Sequence, residues 1–334
     1  MNEMDLVFMK FEATVRRSLT SLLTLIALGT LMGFLGGLWW VLALAAHFRV
    51  QLTAVSLLAL AAALVFKQWR HAAGASVLVA INVLPVLISL GGAPQTPAGD
   101  ARITVVGLNV NTFSGDPKRV LAWLQTVDAD LVGLTEIDPH WIKALAPLRA
   151  RWPHWVELPN DGNFGLALLS RRPVIAQRAQ RLAGHEVKNI RATVQTPLGP
   201  VEVVVMHPPP PLNARWAAMR DEQFEALAAE ASQAKTPLLI VGDLNATPWA
   251  RALDPLLDAG LRHGRVGQGV HPTWPDGWWP LGVPIDHVLV RGLVVTEHRV
   301  GPSVGSDHRP IVVTLGRLRP PGDQAHDAAK EEVQ

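Results

Sequence analysis

Three long stretches without a charged residue occupy the N-terminal third of the chain and constrain its fold most strongly. They cover residues 18–46, 50–66 and 72–93. A helix needs about twenty apolar residues to cross a bilayer core, and the first stretch is too long for the apolar core of a signal peptide. We therefore predict that residues 1–93 form a transmembrane anchor of about three spans, rather than a set of buried core helices.

The basic residues around these stretches predict an orientation. Three precede the first span and two lie between the second and the third, whereas only Arg49 lies between the first and the second. Segments rich in Lys and Arg stay in the cytoplasm. With three crossings, the rest of the chain is expected outside the cytoplasm. If the short second span did not cross, the rest of the chain would be cytoplasmic instead.

The remaining sequence has a different composition. Residues 100–334 hold 24 Lys and Arg against 25 Asp and Glu, so no basic surface for avid nucleic-acid binding is indicated. The absence of cysteine excludes disulfides, thiol nucleophiles and cysteine-based zinc sites. Gly and Pro interrupt residues 94–102, which we interpret as a linker. The polar residues 318–334 are expected to be a disordered tail.

Residues 103–317 alternate short apolar runs with helical patterns and predict one α/β domain. Strands are predicted at 103–110, 130–137, 164–170, 191–196, 201–207, 237–245, 285–290 and 310–315, with helices at 117–127 and 214–234. These strands are too many for one small sheet, and their hairpin-like spacings indicate that they are not all parallel.

Polar side chains recur where these predicted strands begin or end. They are Asn109, Glu136, His207, Asp243, Asn245, Asp286, Asp307 and His308. Because residues i and i+2 of a strand share a face, Asp243 and Asn245 should point the same way, as should Asn109 and Asn111. Each group alone could cap a strand or a turn. Together they could converge on one rim and hold a hard divalent cation such as Mg²⁺.

Three other patterns suggest different roles. GPSVG (301–305) matches the serine-hydrolase elbow, but a strand follows it where that motif requires a helix. HEVKN (185–189) has asparagine where a zinc protease needs its second histidine. The tryptophans of HPTWPDGWW (271–279) could stack on a base, lie at a lipid interface or pack beneath a loop.

The ordered motifs LNVN, LTEID, ALLSRRP, VMHPPPP, VGDLNATP, IDHVLV and GSDHRPIVV resemble the endonuclease/exonuclease/phosphatase superfamily, which has the fold of pancreatic deoxyribonuclease. The resemblance covers roughly residues 100–317. It implies a four-layer α/β sandwich in which two mixed β-sheets face each other, helices flank them, and the site lies at one end.

The resemblance also implies a role for each polar residue. The metal ligands would be Asn109, Glu136 and Asp307. The catalytic residues would be His308, Asp286 as the carboxylate that orients it, Asp243 and Asn245 for the attacking water and the scissile phosphate, and His207 for the developing charge. The implied cofactor is Mg²⁺, or alternatively Mn²⁺. Asn111 stands where many DNA-cleaving members have Asp, so a second metal position stays open.

These observations predict a membrane-anchored, metal-dependent phosphoesterase, a hydrolase of phosphodiester or phosphomonoester bonds. The spans look like those of bacterial membrane-anchored members, which implies a multi-pass protein of the inner membrane with a periplasmic catalytic domain. The expected partners are the lipid bilayer and a phosphate-ester substrate, and no protein partner is predicted. Nuclease and lipid or small-molecule phosphodiesterase activities both stay open. The alternative is a non-catalytic, membrane-tethered binding module that retains the fold.

Overall fold

A computed structural model describes residues 3–92, 95–265 and 267–319 of the chain. The chain divides into a helical unit, which extends to Ser89 and includes Trp249–Arg251, and an α/β unit formed by the rest of the chain from Leu90 onward. The predicted tail lies outside the described residues from Pro320 onward. The two units are described in turn.

Four helices make up the described part of the helical unit. They are α1 (Glu3–Phe34), α2 (Trp40–Ala46), α3 (Arg49–Val65) and α4 (Trp69–Leu90). Large apolar side chains on these helices are exposed, among them Leu25, Leu58 and Ile88. Because exposed apolar side chains along a whole helix are unfavourable in water, this surface favours contact with lipid.

The first predicted span, 18–46, is not one helix. A 3₁₀ turn at Leu35–Gly37 and extended backbone at Trp39 separate α1 from α2. Glycine has a low helix propensity, and a Cβ on Gly36 would lie 2.7 Å from Ala43 Cα. Gly36 and Gly37 therefore end the helix, and the absence of a side chain at Gly36 lets the returning chain pack closely.

Two described helical segments, Glu3–Gly37 and Trp69–Leu90, are long and apolar enough to cross a membrane. A third span is present if α2 and α3, which meet at an angle of 58°, count as one broken span. Inside the unit, Asn82 of α4 donates a hydrogen bond from Nδ2 to Thr30 Oγ1 of α1 at 2.8 Å. This contact confirms that Asn82 bonds a neighbouring helix, as its position in an apolar stretch indicates.

The α/β unit contains twelve strands and four α-helices among its described residues. They are β1 (Pro97–Asn109), α5 (Pro117–Thr126), β2 (Leu131–Thr135), α6 (Pro139–Leu145), β3 (His154–Leu158), β4 (Leu166–Ser170), β5 (Val174–Arg181), β6 (Lys188–Thr196), β7 (Gly199–Val205), α7 (Ala214–Gln233), β8 (Leu238–Asp243), α8 (Asp254–Asp258), β9 (Arg262–His263), β10 (Asp286–Arg291), β11 (Leu293–Val300) and β12 (Ile311–Leu318).

These strands form two six-stranded mixed sheets, as the resemblance implies. Their orders are β11-β12-β1-β2-β4-β3 and β5-β6-β7-β8-β10-β9. Each sheet contains one parallel pair, β1 with β2 and β7 with β8, among antiparallel neighbours. The fold is therefore the predicted sandwich of two mixed sheets flanked by helices.

Strand alternation divides the core into layers. Val105 of β1 packs between the sheets with Val203 and Val241 of the other sheet. The next residue, Val106, faces the opposite way and packs beneath the helices α5 and α6 with Val120. One strand thus serves two apolar layers, which explains its unbroken apolar sequence.

The strands that sequence reasoning missed are the four edge strands, β3, β5, β9 and β11. An edge strand has one free side and tolerates polar residues or very short length, so no apolar run marks it. β5, for example, is exposed along most of its length. The predicted linker also differs, because residues from Pro97 onward already belong to β1 and Pro97 pairs with Leu318.

Two directly paired glycines, Gly107 and Gly133, face Val241 of the opposite sheet. A Cβ on Gly133 would lie 2.6 Å from Val241 Cγ1. We expect Gly133→Ala to lower the free energy of unfolding by about 1–3 kcal/mol through overpacking. Denaturant unfolding of the full chain in detergent, followed by tryptophan fluorescence, measures this loss.

The double variant Gly133→Ala/Val241→Ala serves as the control. Because Val241→Ala removes the methyl groups that the new Cβ would strike, the double variant should lose less stability than the sum of the two single variants. Simple additivity would contradict the proposed close contact.

Candidate active site

The apolar interior between the sheets ends in polar side chains at one end of the sandwich. The inward-facing row of β1 is apolar until its last position, Asn109. The corresponding rows of β8 and β10 end in Asp243 and Asp286, which are direct partners across the two strands. The row of β7 continues two residues past the strand to His207. Strand alternation therefore brings four polar side chains to one place.

A single carboxamide joins carboxylates from the two sheets. Asn109 Nδ2 donates to Glu136 Oε1 at 2.9 Å and to Asp243 Oδ2 at 3.1 Å. Asn109 and Asp243 are 1% and 2% exposed. A buried carboxylate needs hydrogen-bond donors to remain ionised, and here one donor group serves two of them. The two sheets are thus tied together at the site.

The same local turn follows β1 and β8. The backbone N–H of Asn111 donates to Asn109 Oδ1 at 3.0 Å, and that of Asn245 donates to Asp243 Oδ1 at 2.9 Å. Asn111 and Asn245 have φ values of 57° and 51°, a left-handed conformation that asparagine tolerates better than most residues. Because the strands end before these residues, the turn and not strand alternation positions them. The predictions that Asp243 shares a strand face with Asn245, and Asn109 with Asn111, are therefore both wrong.

Glu136 reaches the site because the backbone leaves the strand there, with φ at 61°. Continued alternation would turn it toward the layer of Leu134, beneath the helices. Its Oε2 accepts from the Thr112 N–H at 3.2 Å. Burial raises the pKa of Glu136, but the hydrogen bond and charge of His207 and the Asn109 and Thr112 donors outweigh burial and lower it. Glu136 is therefore a partly buried, ionised carboxylate.

His308 lies between two carboxylates. Its Nδ1 is 2.8 Å from Asp286 Oδ2, and its Nε2 is 3.6 Å from Asp243 Oδ2. Burial alone lowers the pKa of His308, but the charges of Asp286 and Asp243 and the hydrogen bond to Asp286 raise it to about 10. The imidazole is thus protonated at neutral pH and can donate from both nitrogens.

His207 faces the other side of the same carboxylates. Its Nδ1 is 3.1 Å from the Asp243 carbonyl oxygen, and its Nε2 is 3.6 Å from Glu136 Oε1. Burial lowers the pKa of His207, but the hydrogen bond to Glu136 and the charges of Asp243 and Glu136 raise it overall. For Asp243, burial is the largest effect and its pKa is raised, although both histidines oppose that change.

Asp307 is held apart from the buried carboxylates. Its Oδ1 accepts from Asn111 Nδ2 at 2.7 Å, and its Oδ2 accepts from Trp274 Nε1 at 3.0 Å. Within the described residues, Asp307 makes no direct hydrogen bond to Glu136 or Asn109, the two residues with which it was predicted to share a metal. The indole of Trp274 therefore has a defined role in holding a carboxylate, beyond packing beneath a loop.

The described His, Asp and Glu residues include one group whose donor atoms all lie within 4.8 Å of one another, formed by Asp243, Asp286 and His308. These residues were predicted as catalytic groups and not as metal ligands. Both nitrogens of His308 face carboxylates in this group, so charge-assisted hydrogen bonding accounts for the close spacing without a metal ion.

The neighbouring corner of the site fits a hard divalent cation better. Glu136 and Asp243 meet at the Nδ2 of Asn109 and offer carboxylate oxygens there, whereas Asn109 Oδ1 accepts from the Asn111 N–H. Mg²⁺ and Mn²⁺ prefer oxygen ligands, whereas an imidazolium cannot bind a cation. The carboxylate of Glu136 suits such a cation, and Asn109 would have to bind it through Oδ1, the atom that already accepts from Asn111; both residues stay predicted ligands.

Two residues that the sequence analysis did not single out make hydrogen bonds to the backbone of the site residues. Ser306 Oγ donates to the Asn109 carbonyl oxygen at 2.7 Å and accepts from the His308 N–H at 3.0 Å. The buried guanidinium of Arg265 donates to the Asp286 carbonyl oxygen at 2.9 Å. Ser306 lies within the GSDHRP motif and could have been suspected from it, whereas nothing in the sequence marks Arg265.

Residues 106–308 match the Endonuclease/Exonuclease/phosphatase family. This match covers more than half of the chain, and the chain belongs to that family. Members of the family are metal-dependent nucleases and phosphatases that hydrolyse phosphoester bonds. A comparison with curated protein sequences gave no significant match.

Solved structures share the fold at low sequence identity. An endonuclease/exonuclease/phosphatase from Beutenbergia cavernae is 22% identical, with a TM-score of 0.53 over 66% of this chain and 72% of its own. Humanized D. rerio TDP2 is 15% identical, with a TM-score of 0.56 over 65% of this chain and 100% of its own. The 3′ phosphatase NExo from Neisseria, bound to a product DNA hairpin, is 18% identical, with a TM-score of 0.52 over 63% and 98%.

The neighbouring carboxylates of Glu136 and Asp243 lead us to expect that divalent cations stabilise the fold. We expect Mg²⁺ or Mn²⁺ at about one hundred times its dissociation constant to add about 2.7 kcal/mol to the free energy of unfolding. Glu136→Gln should remove most of this gain, because it deletes a ligand charge. Thermal unfolding of the full chain in detergent, with the cation and with EDTA, measures both effects.

The matched control is Glu225→Gln on the exposed face of α7, which should keep the full gain. An equal cation response in Glu136→Gln and in the unmodified chain would exclude Glu136 as a ligand.

Proposed function

We propose that the protein is a membrane-anchored, divalent-metal-dependent phosphoesterase that hydrolyses its substrate by attack of water. The observation that carries this proposal is the continuous arrangement of Asp286, His308 and Asp243 beside the oxygen donors of Glu136 and Asn109. Hydrolysis of a phosphoester needs a proton acceptor for water, a positive group for the phosphoryl oxygens and a cation site. This arrangement supplies all three within one set of contacts.

His308 acts as the positive group. As an imidazolium held by Asp286, it is suited to donate a hydrogen bond from Nε2 to a phosphoryl oxygen and to stabilise the charge that develops there. Its raised pKa makes it a poor base at neutral pH. Asp286 fixes the ring by accepting from Nδ1, which leaves Nε2 as the donor that faces the site.

Asp243 is the group suited to accept the proton of the attacking water. Its pKa is raised by burial, which brings a carboxylate closer to the range that general-base catalysis favours. Asn245 follows it in the same turn and would position the water or the scissile phosphate. His207, between Asp243 and Glu136, would stabilise the charge that develops on the phosphoryl group, because those two carboxylates raise its pKa and favour its charged form.

A divalent cation held by Glu136 and Asn109 would act as a Lewis acid on the phosphoryl oxygens. Asp307 is the third predicted ligand, although Asn111 and Trp274 hold it in the described structure. Whether Asp307 joins the cation depends on the loss of those two hydrogen bonds. Mg²⁺ is the proposed ion, with Mn²⁺ as the alternative.

The test is hydrolysis of bis-p-nitrophenyl phosphate by the full chain in detergent, with Mg²⁺ or Mn²⁺ and with EDTA. We expect activity that depends on the cation. Asp243→Ala and His308→Ala should each reduce kcat by about a hundredfold or more, because each removes a group used in the transition state.

His140→Ala is the control, since His140 is an exposed histidine at the start of α6 and should keep full activity. Activity that persists in both Asp243→Ala and His308→Ala would refute the assignment of the site. A folded chain that binds a cation but hydrolyses no phosphoester would favour the non-catalytic binding module instead.

We further propose that the α/β unit lies on the periplasmic side of a bacterial inner membrane. Support comes from the distribution of basic residues around the spans and from the apolar helices of the first unit. The proposal requires α2 and α3 together to cross once.

Alkaline phosphatase fused after Gly92 tests this orientation, because that enzyme is active only outside the cytoplasm. We expect high activity after Gly92 and low activity for a fusion after Gln68, between the second and third spans. The opposite pattern would mean that α2 and α3 do not cross and that the α/β unit is cytoplasmic. Activity at neither site would mean that α4 does not cross, which would also place the α/β unit in the cytoplasm.

A further inference from the structure

A cleft of about 460 Å³ opens on the α/β unit, and one of its lining residues, Phe164, lies against His207. Phe164, from the segment between β3 and β4, lines one side, and Trp216 and Met219 of α7 line the other. The volume lies in the range of sites that hold small organic groups. The cleft is therefore large enough for one substituent of a phosphoester.

The cleft adjoins the proposed active site through Phe164. The ring of Phe164 lies 5.9 Å from the ring of His207 and 6.0 Å from that of Trp216, measured between centroids. Pro209, two residues after His207, also lines the cleft. A phosphoester bound at His207 would thus place one of its substituents against Phe164 and Trp216.

Two cations, Lys188 at the start of β6 and Arg215 in the first turn of α7, line the same cleft. Both are exposed, and neither side chain has an ion pair or a hydrogen bond within the described residues. Arg191, by contrast, is paired with Glu202 and Glu230. Lys188 and Arg215 are free to bind an anion, with Glu186 as the one acidic residue among the lining side chains.

We infer that this cleft binds the substituent of the substrate and selects a planar ring that carries a second anionic group. The ring would pack on Trp216 and Phe164, and the anion would pair with Arg215 and Lys188. This inference rests on the proposed function, since it takes the phosphoester at His207 as the reacting group. The chemistry fits a nucleoside unit phosphorylated at both ends better than a lipid headgroup, which lacks the ring.

Equilibrium binding tests the cleft without turnover. The full chain in detergent with EDTA is titrated calorimetrically with thymidine 3′,5′-bisphosphate, thymidine 3′-phosphate and glycerol 3-phosphate. We expect the bisphosphate to bind most tightly. Trp216→Ala should weaken binding of both thymidine compounds about tenfold, and Trp216→Phe should restore most of it.

The contribution of the second anion is measured by the ratio of two affinities, that of thymidine 3′,5′-bisphosphate to that of thymidine 3′-phosphate. Arg215→Gln and Lys188→Gln should each lower this ratio about threefold, whereas Lys143→Gln, on an exposed face of α6, should leave it unchanged. Glycerol 3-phosphate binding as tightly as the bisphosphate would overturn ring recognition. A ratio that neither Arg215→Gln nor Lys188→Gln changes would overturn the assignment of the anion site.

Turnover separates this inference from the proposed function. The p-nitrophenyl ester of thymidine 3′-phosphate, with and without a 5′-phosphate, releases the same leaving group in both cases. We expect a higher kcat/KM with the 5′-phosphate, and loss of that preference in Arg215→Gln. Equal kcat/KM values alongside hydrolysis of bis-p-nitrophenyl phosphate would reject the cleft assignment and leave the phosphoesterase standing. Ring and anion preference in binding without any hydrolysis would support the cleft and reject the proposed function.

Discussion

The close approach of the two sheets at Gly107 and Gly133 sets the geometry of the site. With no side chain on either glycine, Val241 of the facing sheet fills the space over both. Two residues farther along each strand, Asn109 and Asp243 come within 3.1 Å of each other across the interior. A larger residue at either glycine would separate the sheets and lengthen that hydrogen bond. The placement of the site therefore depends on the same close packing of the two sheets that fills the core.

At the site end of the sandwich, just beyond the closely packed part of the sheets, the chain leaves regular strand structure. Asn111, Glu136 and Asn245 all adopt left-handed backbone, which costs an ordinary residue about 1–2 kcal/mol. After β1 and β8, Asn109 and Asp243 each accept the backbone N–H two residues on, and Glu136 accepts the N–H of Thr112, contacts that offset part of that cost. Strain of this kind persists where the surrounding contacts fix it, and it is common at functional sites. The three turns hold the side chains in place before a substrate binds.

The sequence predicted the elements whose burial produces an apolar pattern. It did not predict the edge strands or the side chains that turns position. The interior strands were predictable because a strand with an apolar layer on each side reads as an apolar run, and their polar ends located most of the site. The edge strands, such as β5, have no such run. Nor does any local pattern reveal that Trp274 would bond Asp307 across a loop, or that Asn245 would turn out of its strand. Those contacts join residues far apart in the chain and depend on the assembled sandwich.

Charge balance at the end of the sandwich connects the structure with metal dependence. Glu136, Asp243, Asp286 and Asp307 lie around two histidines, His207 and His308, and against the effect of burial these carboxylates raise the pKa of both, that of His308 to about 10. Although burial raises the pKa of Asp243, acidic groups outnumber cationic ones. These acidic groups at the end of the sandwich would repel an anionic phosphoester by charge alone. One divalent cation held by Glu136 and Asn109 would offset that excess, so the acids that repel the substrate would be the same groups that hold the ion.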